Sequence, residues 1–556
     1  MEKRIFVAIA VSIAFLWLWA AMAPKLFPEL APKQGQGNKV EGRAPARTGA
    51  PATATVATET TPDVSPALST QPAAAAVTPA VAAQNIQFTT VDTNEYTARF
   101  SNRGAQLVSF QLKKHRMKNG SPVELVKSRS QSRSDFPFAI ESADASLARR
   151  LNTALYQVND LTERGTRLIQ YRYAAPDGIR ATKTFRFTPN EYLFDVSIEV
   201  APAKPYRVVI GPGIRNLEQH ELDNPALILG NGVVQIDGDL KIVQREKGDR
   251  VNIFQTPEFV GIEDNYFLTA IKPGRGGEAV VRRMEMPEIA KGVRVRKELY
   301  AGLNATASGA VAGSAFFGPK ETKVVDRYGF SEVLQYGMFG VIARFLLTIL
   351  VWINQYTHNY GFAIIVLTII IKIVLYPLQH KSIVSMKKMQ KVQPKMEAIK
   401  NKYKKAKTDP DQRQKMNMEM MKLYQVEGIN PMSGCLPIVL QLPILWGFYN
   451  LLSRAIELRG APFILWITDL SEKDPYYITP ILMTVTMFLQ TWLTPTTGDP
   501  MQRRIFLIMP VFFGYFFKEM PSGLVLYWLV QNILTIIQQL IMNKWWKDHP
   551  GDLNKE

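Results

Sequence analysis

Lys372 stands alone in an apolar run. From Gly361 to Pro377 the chain reads GFAIIVLTIIIKIVLYP, with no other charge until beyond the proline. A lysine inside a bilayer-length helix costs about 2.5–3.5 kcal/mol on insertion scales, so such a charge is retained for a task or a partner. Thr368 lies four residues earlier and shares its helix face. A cation with a hydroxyl beside it can attract an acidic group where water is scarce. The bland alternative is snorkelling, because Lys372 is close enough to the inner end of its run for the ammonium to reach lipid headgroups.

Covalent, metal and nucleotide chemistry leave no signature. The single cysteine, Cys435, cannot form an intrachain disulfide, and the five histidines show no ligand spacing. HExxH, a Walker A loop and a full GxGxxG are absent, and Gly211-Pro-Gly213 lacks the third glycine. No cofactor or metal is expected, and the chain does not read as an enzyme. An intramembrane hydrolase would need a nucleophile with its base, or a metal motif, within the spans. A small-solute or ion transporter remains the alternative, since it too predicts a buried lysine. Internal repeats usually accompany that class, and none is visible.

The elements that must position Lys372 follow from hydropathy and charge. A net charge of +18 over 556 residues would point to nucleic acid on a soluble fold. Here much of it is local: residues 378–432 carry 13 Lys/Arg against 5 Asp/Glu. That is the mark of a cytoplasmic loop, and no DNA partner is expected. Residues 1–23, with Lys3 and Arg4 before an apolar run, read as a transmembrane anchor. Ala21-Met22-Ala23 resembles a cleavage site, but Pro24 disfavours cleavage. Residues 24–84, rich in Ala, Pro and Thr, read as a disordered tether. From 85 to 330, short alternating runs such as Gln106-LVSFQL and Tyr192-LFDVSIEV predict a large antiparallel β-sandwich outside the cytoplasm.

Residues 331–355 contain an apolar run that is short for a span and is interrupted by Arg344. If it crossed, the exported β-domain and the basic loop would lie on one side. It is therefore expected to lie along the outer membrane surface as an amphipathic helix. Further spans are expected at 356–376, 433–453, 476–494, 504–520 and 523–543. A cytoplasmic helical hairpin at 377–432, an outer loop at 454–475, an inner loop at 495–503 and a cytoplasmic tail at 544–556 connect and follow them. With the anchor these make a membrane α-helical bundle of six transmembrane helices, both termini cytoplasmic, carrying a large periplasmic β-sandwich domain. In the hairpin, Met386, Met389, Met396, Ile399 and Tyr403 face Met416, Met420 and Leu423, with Lys404-Lys-Ala-Lys407 and Asp409-Pro-Asp at the tip. The methionines either hold the arms together or offer an adaptable surface to varied apolar partners. The lysines are either simply solvated or meet ribosomal RNA or anionic lipid.

An ordered series of motifs covers the last 200 or so residues. It runs from Lys372 with Tyr376-Pro377 through Gln393-Pro394-Lys395, Asn430-Pro431, Gly434-Cys435-Leu-Pro437 and Gln441-Leu-Pro443. It continues through Ala461-Pro462-Phe463, Asp474-Pro-Tyr-Tyr477, Thr494-Pro-Thr-Thr497 and Asp499-Pro-Met501 to Pro521-Ser-Gly-Leu-Val-Leu-Tyr527. This series resembles the YidC/oxidase-assembly/Albino family of membrane protein insertases, in the long form of the Gram-negative inner membrane. The resemblance implies five spans forming the insertase core around a hydrophilic groove, open to the cytoplasm and to lipid. The groove's positive residue is arginine in many relatives and Lys372 here, which keeps the charge but not the fork geometry. Thr368 and Gln441 become polar lining. Leu445, Met483, Phe516 and Trp528 become the apolar path that clients contact, Leu445 replacing an aromatic residue. The implied function is to insert, fold and help assemble inner-membrane proteins. The implied partners are nascent clients, the Sec translocon (SecYEG and SecDF), the ribosome through the basic hairpin and tail, and membrane lipids.

Overall fold

The computed structural model describes residues 80–548 except 128–135, 164, 218–220, 222–227, 229, 246–250, 275–276, 287–295, 405–408, 429–435 and 495–499. The anchor at 1–23, most of the tether, the hairpin tip around Lys405–Lys407, and the Asn430-Pro431 and Gly434-Cys435 motifs lie outside the described residues.

Alternation in the sequence becomes three antiparallel sheets between Phe88 and Pro319. A nine-stranded sheet forms the backbone of the domain. A four-stranded sheet (Phe88–Glu124) and a five-stranded sheet pack on the same face of it. The register explains how. Phe187 pairs with Phe194, and Thr269 pairs with both Ile262 and Phe317, so these side chains project to one side. Phe185 meets Phe100 at 4.7 Å between ring centroids, and Phe317 meets Phe110 at 5.2 Å. Ile262, further along the same face, sits under Gly211 beside the five-stranded sheet. The opposite face carries Phe259 and Phe316, both within 4.9 Å of the Phe330 ring. It thus leans on the segment that enters the membrane part.

Lys183 is sealed into this domain without a carboxylate partner among the described residues. The side chain is fully buried, and its ammonium donates to the carbonyls of Gly104 and Phe138, each at 2.7 Å. Burial without a counter-ion lowers its pKa to about 7.

Two short helices, α1 (Ala145–Thr153) and α2 (Thr322–Arg327), precede the membrane part. There α3 spans Gly340–Thr357, α4 Tyr360–Lys402, α5 Pro410–Val426, α6 Leu436–Arg454, α7 Ile478–Leu493, α8 Pro500–Phe517 and α9 Ser522–Asp548. By length and composition, α3, α4 and α9 could each cross a membrane, while the apolar stretches Ile478–Leu493 and Phe506–Phe517 are shorter. No break in the helix marks the boundary expected at 376/377. Helix α4 runs unbroken through Pro377 and Pro394, so the second span and the first hairpin arm are one rod about 64 Å long. In α3, Ala343, Leu346, Leu347, Leu350 and Ile353 are buried, whereas Val341, Phe345, Trp352 and Tyr356 form an exposed stripe. His358, in left-handed conformation, ends α3 and turns the chain into α4.

Met389 and Met396 pack against Met420 and Leu423, and Val392 and Tyr424, which the sequence pattern did not single out, join them. Met386, Ile399, Tyr403 and Met416 are only partly buried, and Met418, Met421 and Val426 face outward. At the hairpin base, Val384 of α4 packs on Met542 and Trp546 of α9, with Lys387 over the Trp546 ring.

The β-domain also grips the segment 453–475. Arg215, with 0% exposure, lies 2.5 Å from Asp264 and 2.8 Å from Glu221, and Glu221 also pairs with Arg459 of the loop at 3.4 Å. Asn265 donates to the carbonyl of Ser453 at 2.8 Å, and Lys118 pairs with Glu472 at 2.8 Å. Glu457 accepts from the backbone N–H and the hydroxyl of Thr322. Burial holds the carboxyls of Glu457 and Asp469 above their usual range.

Candidate functional site

The site is built on α4 and α9, and both helices are fixed at their outer ends by the same loop. Asn359 caps α4 by accepting from the N–H groups of Gly361 and Phe362, while its amide donates to the carbonyl of Phe463 at 2.9 Å. Gly361 is required there, since a Cβ would come within 2.0 Å of the Phe463 ring. At the start of α9, Ser522 and Gly523 donate from their backbone N–H groups to the carbonyls of Glu472 and Leu470. A Cβ on Gly523 would meet Leu452 at 2.8 Å. The Pro-Ser-Gly turn therefore sets the depth of every later α9 residue relative to α4.

Lys372 is 8% exposed, and its ammonium donates to the Thr535 hydroxyl oxygen at 2.8 Å. Thr535 is free to accept because its own proton goes to the carbonyl of Gln531, 2.7 Å away. No carboxylate lies within ion-pair distance of Lys372 among the described residues. Thr368 is fully buried on the same face but does not reach the lysine. Its hydroxyl donates back to the carbonyl of Ile364 at 2.6 Å, a local bond common for threonine within apolar helices. Gln441 of α6 donates to the Tyr527 hydroxyl of α9, and Tyr527 stacks on Phe448 at 4.4 Å. Gln441 is thus joined to α9 one face away from the Lys372–Thr535 pair.

The four apolar-path residues are placed unequally. Phe516, half exposed at 50%, lies on the open face of α8 with Ile508, Val511, Phe512 and Tyr515. Trp528 is partly buried between Phe513 and Phe517. Leu445 is almost covered and Met483 is wholly covered, with the Met483 carbonyl taken by the Asn532 amide. In this conformation only Phe516 presents a broad surface. The open face of α7 is made instead by Ile481, Leu482, Val485, Phe488 and Trp492.

Helix α9 carries further polar residues that the sequence pattern did not single out: Gln531, Asn532, Thr535, Gln538 and Gln539. Their signal was visible, for they repeat at helical spacing within an apolar stretch. Asn532 and Gln539 tie α9 to α7, through Thr486 at 3.3 Å and Thr494 at 2.8 Å. Thr535 faces α4. The outward side, with Ile533, Ile537, Leu540 and Ile541, is apolar and exposed.

Comparison with known proteins decides the family. Residues 352–549 match the model of the 60Kd inner membrane protein, and residues 89–349 match that of the YidC periplasmic domain. A "Membrane protein insertase YidC" from Geobacter metallireducens is 36% identical over 567 residues, covering 98% of each chain. The chain belongs to the YidC family of membrane protein insertases. Another YidC, from Syntrophus aciditrophicus, is 34% identical and covers 98% of this chain and 100% of its own. A solved structure described as an active YidC insertase aligns with 84% of this chain and 95% of its own, at 21% identity and a TM-score of 0.36. In YidC terms, the three-sheet unit is the periplasmic domain, and the apolar helices belong to a multi-pass inner-membrane insertase.

Proposed function

We propose that this insertase moves the short hydrophilic tail of a client through a groove between α4 and α9, with Lys372 as its electrostatic centre. The observation that carries the reading is a buried lysine whose polar partner among the described residues is neutral Thr535. A buried cation without a counter-ion is under-solvated, and an acidic tail residue relieves that in a medium where attraction is strong. Transfer needs no nucleotide. Partition of the client's apolar helix into lipid drives it, at about 25 cal/mol per Å² of apolar surface.

On this reading six spans cross the inner membrane, five of them forming the core, with both termini cytoplasmic and α3 lying along the outer surface on its exposed stripe. Thr368 and Gln441 support the groove wall from inside the bundle, and Leu445, Met483, Phe516 and Trp528 mark the way out toward lipid. The basic hairpin and tail meet the ribosome or anionic headgroups, and some clients arrive through the Sec translocon. Purified full-length protein in proteoliposomes, given a single-span client and a labelled small solute, tests the class. Protease protection of the client tail without solute flux is expected. Solute flux without tail protection would favour a transporter.

A further inference from the structure

Gln538 is 7% exposed, yet neither its amide nitrogen nor its amide oxygen has a hydrogen-bond partner among the described residues. An unmade buried hydrogen bond of this kind is destabilising by about 1–3 kcal/mol, so native structures rarely keep both ends of an amide idle. Its neighbours on α9 are used differently. Asn532 and Gln539 point to α7 and are bonded there. Gln538 lies on the other side, between Thr535, which holds Lys372 of α4, and Met542, which packs on Val384 of α4. Residues at positions 535, 538 and 542 share one helix face, so this amide belongs to the α4–α9 seam. One turn before Thr535, the side-chain oxygen of Gln531 is likewise without a donor.

A primary amide donates and accepts at adjacent atoms, the same pair of functions that one peptide unit presents. We propose that Gln538, assisted by the Gln531 oxygen, hydrogen-bonds the main chain of the client's hydrophilic tail as it passes Lys372. The tail is the segment that most needs such contacts, because its N–H and C=O groups lose water before they reach the far side. Lys372 would then select for charge, while Gln538 accepts any sequence, since it reads only the backbone. This inference rests on the groove reading above.

The test uses full-length protein in proteoliposomes and a semisynthetic single-span client with an uncharged hydrophilic tail, prepared with ordinary or N-methylated tail amides. N-methylation removes the donors and leaves the net charge unchanged. The wild type should insert the ordinary tail about three- to tenfold faster, the effect of one hydrogen bond. Gln538→Leu should slow the ordinary tail by a similar factor and bring the two tails to the same rate. If Gln538→Leu keeps the wild-type ratio, the amide serves only water or packing, and the proposal is wrong. Should Gln538→Leu fail to fold, Gln538→Met, which keeps the unbranched stem, carries the same comparison. An acidic-tail series run in parallel separates the two claims. Gln538→Leu should leave its charge dependence intact, and loss of charge dependence on Lys372→Glu concerns the groove reading alone.

Discussion

The ammonium of Lys372 on α4 lies 2.8 Å from the hydroxyl oxygen of Thr535 on α9, 163 residues away in sequence. This bond joins the first and last helices of the described insertase core and aims the charge across the seam. It also keeps the lysine from reaching for headgroups, the course open to an untethered lysine near the end of a span.

Removing that acceptor should loosen the charge without unfolding the bundle. Thr535→Val is expected to slow insertion of acidic-tail clients about fivefold, within the range for an ordinary hydrogen bond. Thr535→Ser should be nearly neutral. Equal rates for Thr535→Val and wild type, measured by protease protection, would mean that the bond has no role in positioning Lys372.

The contact between the β-domain and the outer loop predicts a division between stability and activity. Asp264→Ala leaves the buried Arg215 with Glu221 alone and should destabilise the fold by about 3–5 kcal/mol, the usual result of breaking a buried pair. Deleting residues 90–310 while keeping 331–355 should lower the thermal midpoint of the membrane part, because Arg459 and the Ser453 carbonyl lose Glu221 and Asn265. Insertion of a simple client should persist. Complete loss of insertion by a truncated protein that is stably present would show that the β-domain has a direct part in transfer.

Lys183 gives a pH signature outside the membrane. Its pKa is about 7 in the fold against an ordinary 10.5, so between these values the unfolded chain holds more protons than the native one. Stability therefore rises with pH across that window, and the penalty for burying the charge is full only below pH 7. Lys183→Met removes the penalty but leaves the carbonyls of Gly104 and Phe138 without their donor. The variant should compare best with wild type near pH 6 and worst near pH 10, as followed by urea unfolding. A pH-independent difference would show that burial leaves the Lys183 pKa where it stands in the unfolded chain.

Much of the site was legible because charge within an apolar run is a rare signal. Lys372 needed only its surroundings to stand out, and alternating runs such as Tyr192-LFDVSIEV sufficed for the sheets. The seam partner was harder to see. Thr535 is an ordinary residue for an apolar helix, and only the folded geometry shows that its lone pair is free for Lys372. The unbroken course of α4 was hidden by Pro377, which usually ends or kinks a helix. The sequence of loop 454–475 gave no sign of its contacts with the β-domain. Its partners, such as Glu221 for Arg459 and Thr322 for Glu457, lie 238 and 135 residues earlier, and local pattern cannot pair them. Thr368 shows the opposite error: its spacing from Lys372 was right, but its hydroxyl turns back to its own helix.

The sign of the charge at residue 372 is expected to select the client tail. A series of single-span clients with graded tail charge, inserted by wild type, Lys372→Arg, Lys372→Ala and Lys372→Glu, measures it directly. Lys372→Arg should be close to wild type, and Lys372→Glu should block acidic tails, because like charges repel strongly where water screens poorly. Lys372→Ala should fall between them, and uncharged tails should suffer least. Equal insertion of acidic and neutral tails by Lys372→Glu would contradict the account and leave Lys372 as a snorkelling anchor.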